Sequence, residues 1–424
     1  MPPLTDKSYR FAFILITSLF FLWGFAHNLD PVLIPHLKKS FTLTTTQSTL
    51  VDSAVFIAYF LMALPAGMII KRFGYKIGII TGLLFFAIGS FLFIPAADTQ
   101  SYDFFLVALF IIACGLTILE TAANPYASSL GAPETATQRL NLAQSFNGLA
   151  AALAPAIGVR IILTKGYSEA ELSGMTDAAR KVALASEASS VKTPYLVLGS
   201  ILVLIAIVFA FSKLPKIQKD AGHVAGKNIL HAFRHPQLTW AVIAQFFYVG
   251  AQVCVLSLFL LYAPVSAGIS EKLAGDYLSA CGLAFLFGRF LGTFLMKYVQ
   301  PQRLLALYAF INVLLCIVAI TAHGMITIYA VIGICFFMSI MFPTIFALGI
   351  NGLKGDTEYG SSLIIMAIVG GAVLPRIFGY ISDDTGNIQL GYIVPLVCFL
   401  VVFYFGWRGY RLNRKIDPIE EPTS

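Results

Sequence analysis

The fold class this sequence predicts is an all-α integral membrane protein. Its twelve transmembrane helices form two six-helix pseudo-symmetric bundles around a central cavity. Three observations predict it. Of 424 residues, 58% are hydrophobic and 12% charged, with mean hydropathy +0.83, whereas soluble domains carry about 25% charged residues. Apolar runs recur twelve times, most of them longer than the ~20 residues that cross a hydrocarbon core. The two halves of the chain also echo each other, as duplicated transporter halves do.

The first six runs lie near 10–36, 51–71, 75–96, 103–130, 138–163 and 193–210. The second six lie near 239–264, 273–296, 302–321, 324–350, 359–382 and 390–408. Between the sets, residues 211–238 are basic and too polar to embed. The division is therefore an N-terminal bundle (1–210), a linker (211–238), a C-terminal bundle (239–410) and a tail (411–424). With both termini inside, 18 lysines and arginines fall on inner segments and seven on outer ones. Positive residues favour the cytoplasmic side, so the termini and the linker of this multi-pass chain are expected there. The halves match most visibly at ETAANPYASSLG (120–131) against FPTIFALGINGLKG (342–355), and in the late prolines Pro155 and Pro375.

Several function classes drop out. The net charge of +7 follows from the topology and calls for no nucleic-acid partner. The six cysteines stand in separate apolar segments without a CxxC pair, so they read as small buried hydrophobes rather than a metal site. No soluble catalytic domain, metal-ligand array or phosphate-binding loop is visible, which argues against an enzyme and against any cofactor. The expected partners are the lipid bilayer and a small solute. One chain supplies both halves, so a functional monomer is expected.

Glu120 stands in an otherwise uncharged run (112–131). A charge at the centre of a bilayer helix costs roughly 2.5–3.5 kcal/mol on insertion scales, so it needs a partner, water or a proton. Asn124 follows one turn later on the same face. Helix five adds Gln144 and Asn147, three apart and able to face one cavity. Amides offer donors and acceptors without fixed charge, which suits a neutral polyhydroxylated solute. Helix one holds His27, Asn28 and Asp30 before Pro31, which disturbs its own turn and frees backbone groups. Helix seven contributes Tyr248 and Gln252, four apart, an aromatic face beside an amide. Asn351 and Tyr359 flank the turn between helices ten and eleven and are gate candidates. Arg289 and Arg376 lie inside apolar helices, where each either pairs internally or snorkels to an interface.

These blocks carry a resemblance. SLFFLWGFAHNLDPVLIPHL (18–37), LETAANPYASSLG (119–131), RLNLAQSFN (139–147), QFFYVGAQ (245–252) and PTIFALGINGL (343–353) resemble the fucose–galactose–hexose proton symporters of the major facilitator superfamily, most of all bacterial L-fucose permeases. The resemblance implies the major facilitator fold. It also implies uptake of a neutral hexose or deoxyhexose by proton symport through alternating access, with L-fucose favoured over galactose or glucose. Glu120 and Asp30 would couple protons. By the resemblance Glu120, Gln144 and Asn147 would meet the sugar, and the residue pattern adds Asn28, Asn124, Tyr248 and Gln252. The helix-one match is displaced: in NLDP (28–31) Pro31 takes the place of the family carboxylate and Asp30 comes one residue early, a turn of roughly 100°. GMIIKRFGYK (67–76) resembles the superfamily loop between helices two and three. Lys71 stands at its usual acidic position, Gly67 and Gly74 suit tight helix approaches, and Arg72 and Lys76 suit the membrane interface. Facilitated or sodium-coupled sugar transport, and export of amphipathic compounds, are the alternatives.

Overall fold

The computed structural model describes residues 4–5, 7–27, 50–99, 101–162, 174–176, 179–180, 183, 192–215, 232 and 234–411. Asn28, Asp30 and Pro31 lie outside the described residues. His27 ends the first helix, and its side chain is likewise outside them.

The first half is built from α1 (Arg10–His27), α2 (Leu50–Phe73), α3 (Tyr75–Asp98), α4 (Tyr102–Ser129), α5 (Ala136–Ile162) and α6 (Lys192–Phe211). The second half has α7 (Pro236–Ser257), α8 (Phe259–Ala267), α9 (Glu271–Leu295), α10 (Pro301–Thr321), α11 (Met325–Met338), α12 (Met341–Ile350), α13 (Thr357–Met366), α14 (Gly370–Thr385) and α15 (Ile393–Tyr404). Three expected single helices are therefore broken. The seventh span is α7 plus α8, the tenth α11 plus α12, and the eleventh α13 plus α14 across a 3-10 turn, Ala367–Val369. The sum is still twelve crossings. Among the described residues, ten stretches are long and apolar enough to span a membrane. The other two are α1, whose apolar part Arg10–Phe25 is shorter, and α5, where Gln138, Asn141, Gln144 and Asn147 dilute the apolar run.

Those amides point to where the centre is. α4 is mostly buried and α6 mostly exposed, so α4 lies inside the bundle and α6 on its outside. α4 packs on α3 and α2, and also on α13 of the other half. Burial without a hydrophobic drive in lipid rests on close van der Waals packing. The small residues Gly82 and Gly115 supply it where α3 meets α4. All six cysteines are free and buried, as expected of small core hydrophobes.

Gly67 and Gly74 have different purposes, although both were expected at tight approaches. Gly74 is the single residue between α2 and α3. Its φ of 85° lies in the left-handed region that favours glycine, and a Cβ there would meet nothing within 4 Å. Gly67 is the close approach: a Cβ there would fall 2.1 Å from Ser362 Oγ and 3.1 Å from the Glu358 carbonyl oxygen. Beside it the Lys71 ammonium sits 4.0 Å from the centre of the Tyr359 ring. The first and second halves thus touch at the end of the bundle that carries the α2–α3 turn.

Prolines furnish acceptors for this seam. Proline has no N–H, so the carbonyl four residues before it loses its helical donor. Pro125 frees the Thr121 carbonyl, and Ser361 Oγ donates to it from the other half at 2.8 Å. Pro343 frees the Ser339 carbonyl at the break between α11 and α12, and Arg289 Nε of the same half donates there at 2.7 Å, which sets the guanidinium beside the seam. Further bonds across the halves run from Gln138 Nε2 to the Thr293 carbonyl at 3.2 Å and from Asn141 Nδ2 to Thr344 Oγ1 at 3.1 Å.

Candidate transport site

Glu120 lies on the inner face of α4 with 7% of its surface exposed. Among the described residues it forms no ion pair. Its Oε1 accepts a hydrogen bond from the Tyr59 hydroxyl of α2 at 2.7 Å. One turn on, Asn124 Nδ2 donates to the Glu120 carbonyl oxygen at 2.9 Å, and Asn124 Oδ1 accepts from Gln144 Nε2 at 3.1 Å. An acid, a phenol and two amides thus tie α2, α4 and α5 together. The Asn124 amide turns back along its own helix, which leaves Gln144 to link the two helices.

Asn147, one turn beyond Gln144 on α5, is half-buried and packs against α1 at Gly24. There a Cβ would come within 2.7 Å of the asparagine Nδ2. Close contact of α1 with α5 therefore depends on the missing side chain.

The facing half brings Arg289. It is 5% exposed, and its guanidinium lies 4.5 Å from the Phe285 ring centre. Besides the Ser339 carbonyl, it reaches across the seam, where Nη1 donates to the Gln144 carbonyl oxygen at 2.8 Å. Of the two readings open for Arg289, internal pairing is the one realised, with carbonyls rather than a carboxylate as partners. Arg376 is exposed, as a snorkelling residue is. Tyr248 is fully buried, edge-on to Phe342 at 6.4 Å, and among the described residues its hydroxyl has no hydrogen-bond partner. Both polar atoms of Gln245, one turn earlier, are likewise buried and unbonded. Gln252 is half-buried.

The remaining candidates sit at the end carrying the seam. Asn351 is exposed at the turn after α12, and Tyr359 carries Lys71. Arg72 is exposed beside the Phe73 ring. Lys76 donates to the carbonyl oxygens of Ala210 and Ser212 at 2.7 and 3.0 Å, which closes the last turn of α6. Tyr59 was missed by the sequence reading. The signal for it was faint: one phenol in an apolar helix, on the stripe that continues through Ala63 to Gly67. Among the described residues no group of three or more His, Cys, Asp or Glu side chains is placed to hold a metal ion.

Residues 11–358 match the Major Facilitator Superfamily model. The L-fucose-proton symporter of Escherichia coli K12 is 41% identical over 410 residues, covering 94% of this chain and 93% of that protein. The chain is a major facilitator. The glucose/galactose transporter of Brucella abortus is also 41% identical, over 409 residues and 96% of each chain. A crystal structure of the major facilitator transporter FucP in the outward conformation superposes with a TM-score of 0.88 at 40% identity, covering 95% of this chain and 99% of that one. A double-tryptophan XylE mutant, at a TM-score of 0.69 and 14% identity, shares the fold alone. This major facilitator therefore belongs among the bacterial sugar–proton symporters of the superfamily, with their twelve-helix architecture, and it is not an enzyme. The family read from the motif blocks is the family found.

Proposed function

We propose that this chain takes up a neutral hexose or deoxyhexose together with protons, by alternating access, across a bacterial inner membrane. Relatives of equal identity are named for fucose and for glucose and galactose, which sets the substrate class. The observation that carries the coupling is Glu120: a buried carboxylate with a phenol as partner and, among the described residues, no cation. Such a group exchanges a proton with the cavity, where an ion-paired carboxylate would hold its charge. Glu120 is then the proton carrier, and Asp30 the second carboxylate. Asn28, Asn124, Gln144, Asn147, Tyr248 and Gln252 supply the polar and aromatic lining.

The termini and linker face the cytoplasm, which places the seam at Gly67, Arg289 and Ser361 on that side. Joined there, the halves expose the central site outward. Rocking of residues 1–210 against residues 239–410 breaks the seam and releases sugar and proton inside. One chain forms the whole pathway. The decisive variant is Glu120→Gln, which keeps the size and hydrogen-bonding capacity of the side chain but cannot ionise. In proteoliposomes it should lose proton-driven accumulation while keeping sugar counterflow. Accumulation at the unmodified rate by a folded variant would overturn the coupling role.

A further inference from the structure

Tyr59 holds a position that neither the motif blocks nor the amide ladder explains. It is 3% exposed on α2, and α2 is the helix that packs on α4 within its own half and on α13 in the other half. One flank of Tyr59 carries Phe56, whose ring lies against Gly371; a Cβ there would come within 2.8 Å of it. Two turns beyond Tyr59 comes Gly67, pressed on Ser362. The phenol donates into the seam's own neighbourhood: Glu120 accepts from Tyr59, and the next residue, Thr121, accepts from Ser361 of the opposite half.

From this geometry we infer that Tyr59 is a positioning residue for proton coupling: its hydroxyl reads the charge on Glu120 and transmits it to α2, the helix that closes the seam. The inference rests on Glu120 being the proton carrier. A charged carboxylate accepts the phenolic hydrogen strongly. Once protonated, the acid is a weaker acceptor and brings a donor of its own, so the Tyr59–Glu120 tie slackens. Proton binding thereby loosens α2 from α4 beside the contacts it makes to α13.

Among the described residues the other titratable groups around α4, the buried Cys114 apart, are committed elsewhere or sit at helix ends. On α3, Lys76 serves the end of α6 and Asp98 pairs with Lys192; Tyr75 opens the helix. On α2, Lys71 lies on Tyr359 of α13, and Arg72 is exposed beside Phe73. On α5, Arg139 donates to the carbonyls of Leu4, Ala132 and Ser128. Glu358 lies in the first turn of α13 and Arg10 opens α1. α4 itself has Asp103 in its first turn, Cys114 and Tyr126, whose hydroxyl donates to the Pro215 carbonyl.

The test follows the buried acid by its infrared carbonyl stretch in the reconstituted full-length protein, titrated in parallel with sugar counterflow. Unmodified protein should show one titrating buried-acid band that Glu120→Gln removes. Tyr59→Phe keeps the ring and removes the one donor that favours the charged form, so the midpoint of that band should rise by about one to two pH units. Counterflow should stay saturable, with its pH profile displaced the same way. Incorporating 3-fluorotyrosine at position 59 keeps every contact and strengthens the donor, so the midpoint should fall. A Glu120 band that neither substitution moves would overturn the role of Tyr59 while leaving Glu120 as carrier. If Glu120→Gln removes no band, the carrier reading fails and takes the Tyr59 inference with it.

Discussion

Replacing Arg289 with methionine isolates one bond across the seam. The guanidinium spans both halves through Nη1 to the Gln144 carbonyl at 2.8 Å, while Nε holds the Ser339 carbonyl within its own half. Methionine fills a similar volume with flexible apolar atoms and leaves no unpaired charge behind. A hydrogen bond from a charged donor contributes about 1.5–3 kcal/mol. When the halves part the guanidinium regains water, which places the differential near the lower figure. At about 1.4 kcal/mol per factor of ten, Arg289→Met should shift the balance roughly tenfold away from the joined arrangement. Arg289→Lys keeps the charge but loses the fixed fork, so it should restore the balance only in part. Spin labels at Phe73 and Tyr298, exposed residues on the two sides of this end, report the separation by pulsed dipolar spectroscopy in nanodiscs. The predicted result is a second, longer-distance population in Arg289→Met. An unchanged distance distribution in a variant of unaltered thermal stability would refute the claim that Arg289 holds the seam.

Other substitutions probe the same frame. Ser361→Ala removes one neutral bond to the proline-freed Thr121 carbonyl, worth about 0.5–1.5 kcal/mol; it should shift the label distances the same way as Arg289→Met and by less. Gly67→Ala places a methyl 2.1 Å from Ser362 Oγ, so it should populate the parted arrangement strongly. Adding Ser362→Ala should restore the short distance in part, whereas additive effects of the two changes would contradict direct contact. Pro125→Ala returns a donor to the Thr121 carbonyl inside α4, so it should weaken the effect of Ser361→Ala in a double-mutant cycle.

The membrane class and the crossings were legible because apolar runs of the needed length leave few alternatives. Glu120 was legible for the same reason: a carboxylate inside such a run stands out. The helix breaks were not, because run length says nothing about backbone continuity. Only the third dimension shows that the carbonyl freed by Pro343 is taken by Arg289. Arg289 and Arg376 look alike in sequence, each alone in an apolar helix, yet one turns to the seam and the other outward. That choice is made by helix rotation, which a lone arginine in an apolar run does not reveal. Tyr59 escaped for a related reason, since an aromatic residue in an apolar helix reads as packing until its hydroxyl is seen against a carboxylate. Helical spacing put Asn124 on one face with Glu120 and Gln144 on one face with Asn147, but the bond from Gln144 to Asn124 that joins the two helices could not be read from it.

Sugar accumulation in proteoliposomes, with proton and sodium gradients imposed separately over a panel of neutral hexoses and deoxyhexoses, tests the central claim most directly. The account predicts concentrative uptake of at least one such sugar under an inward proton gradient without sodium, abolished by Glu120→Gln while counterflow persists. Accumulation that follows sodium and ignores the proton gradient, or saturable flux that no ion gradient can concentrate, would contradict it.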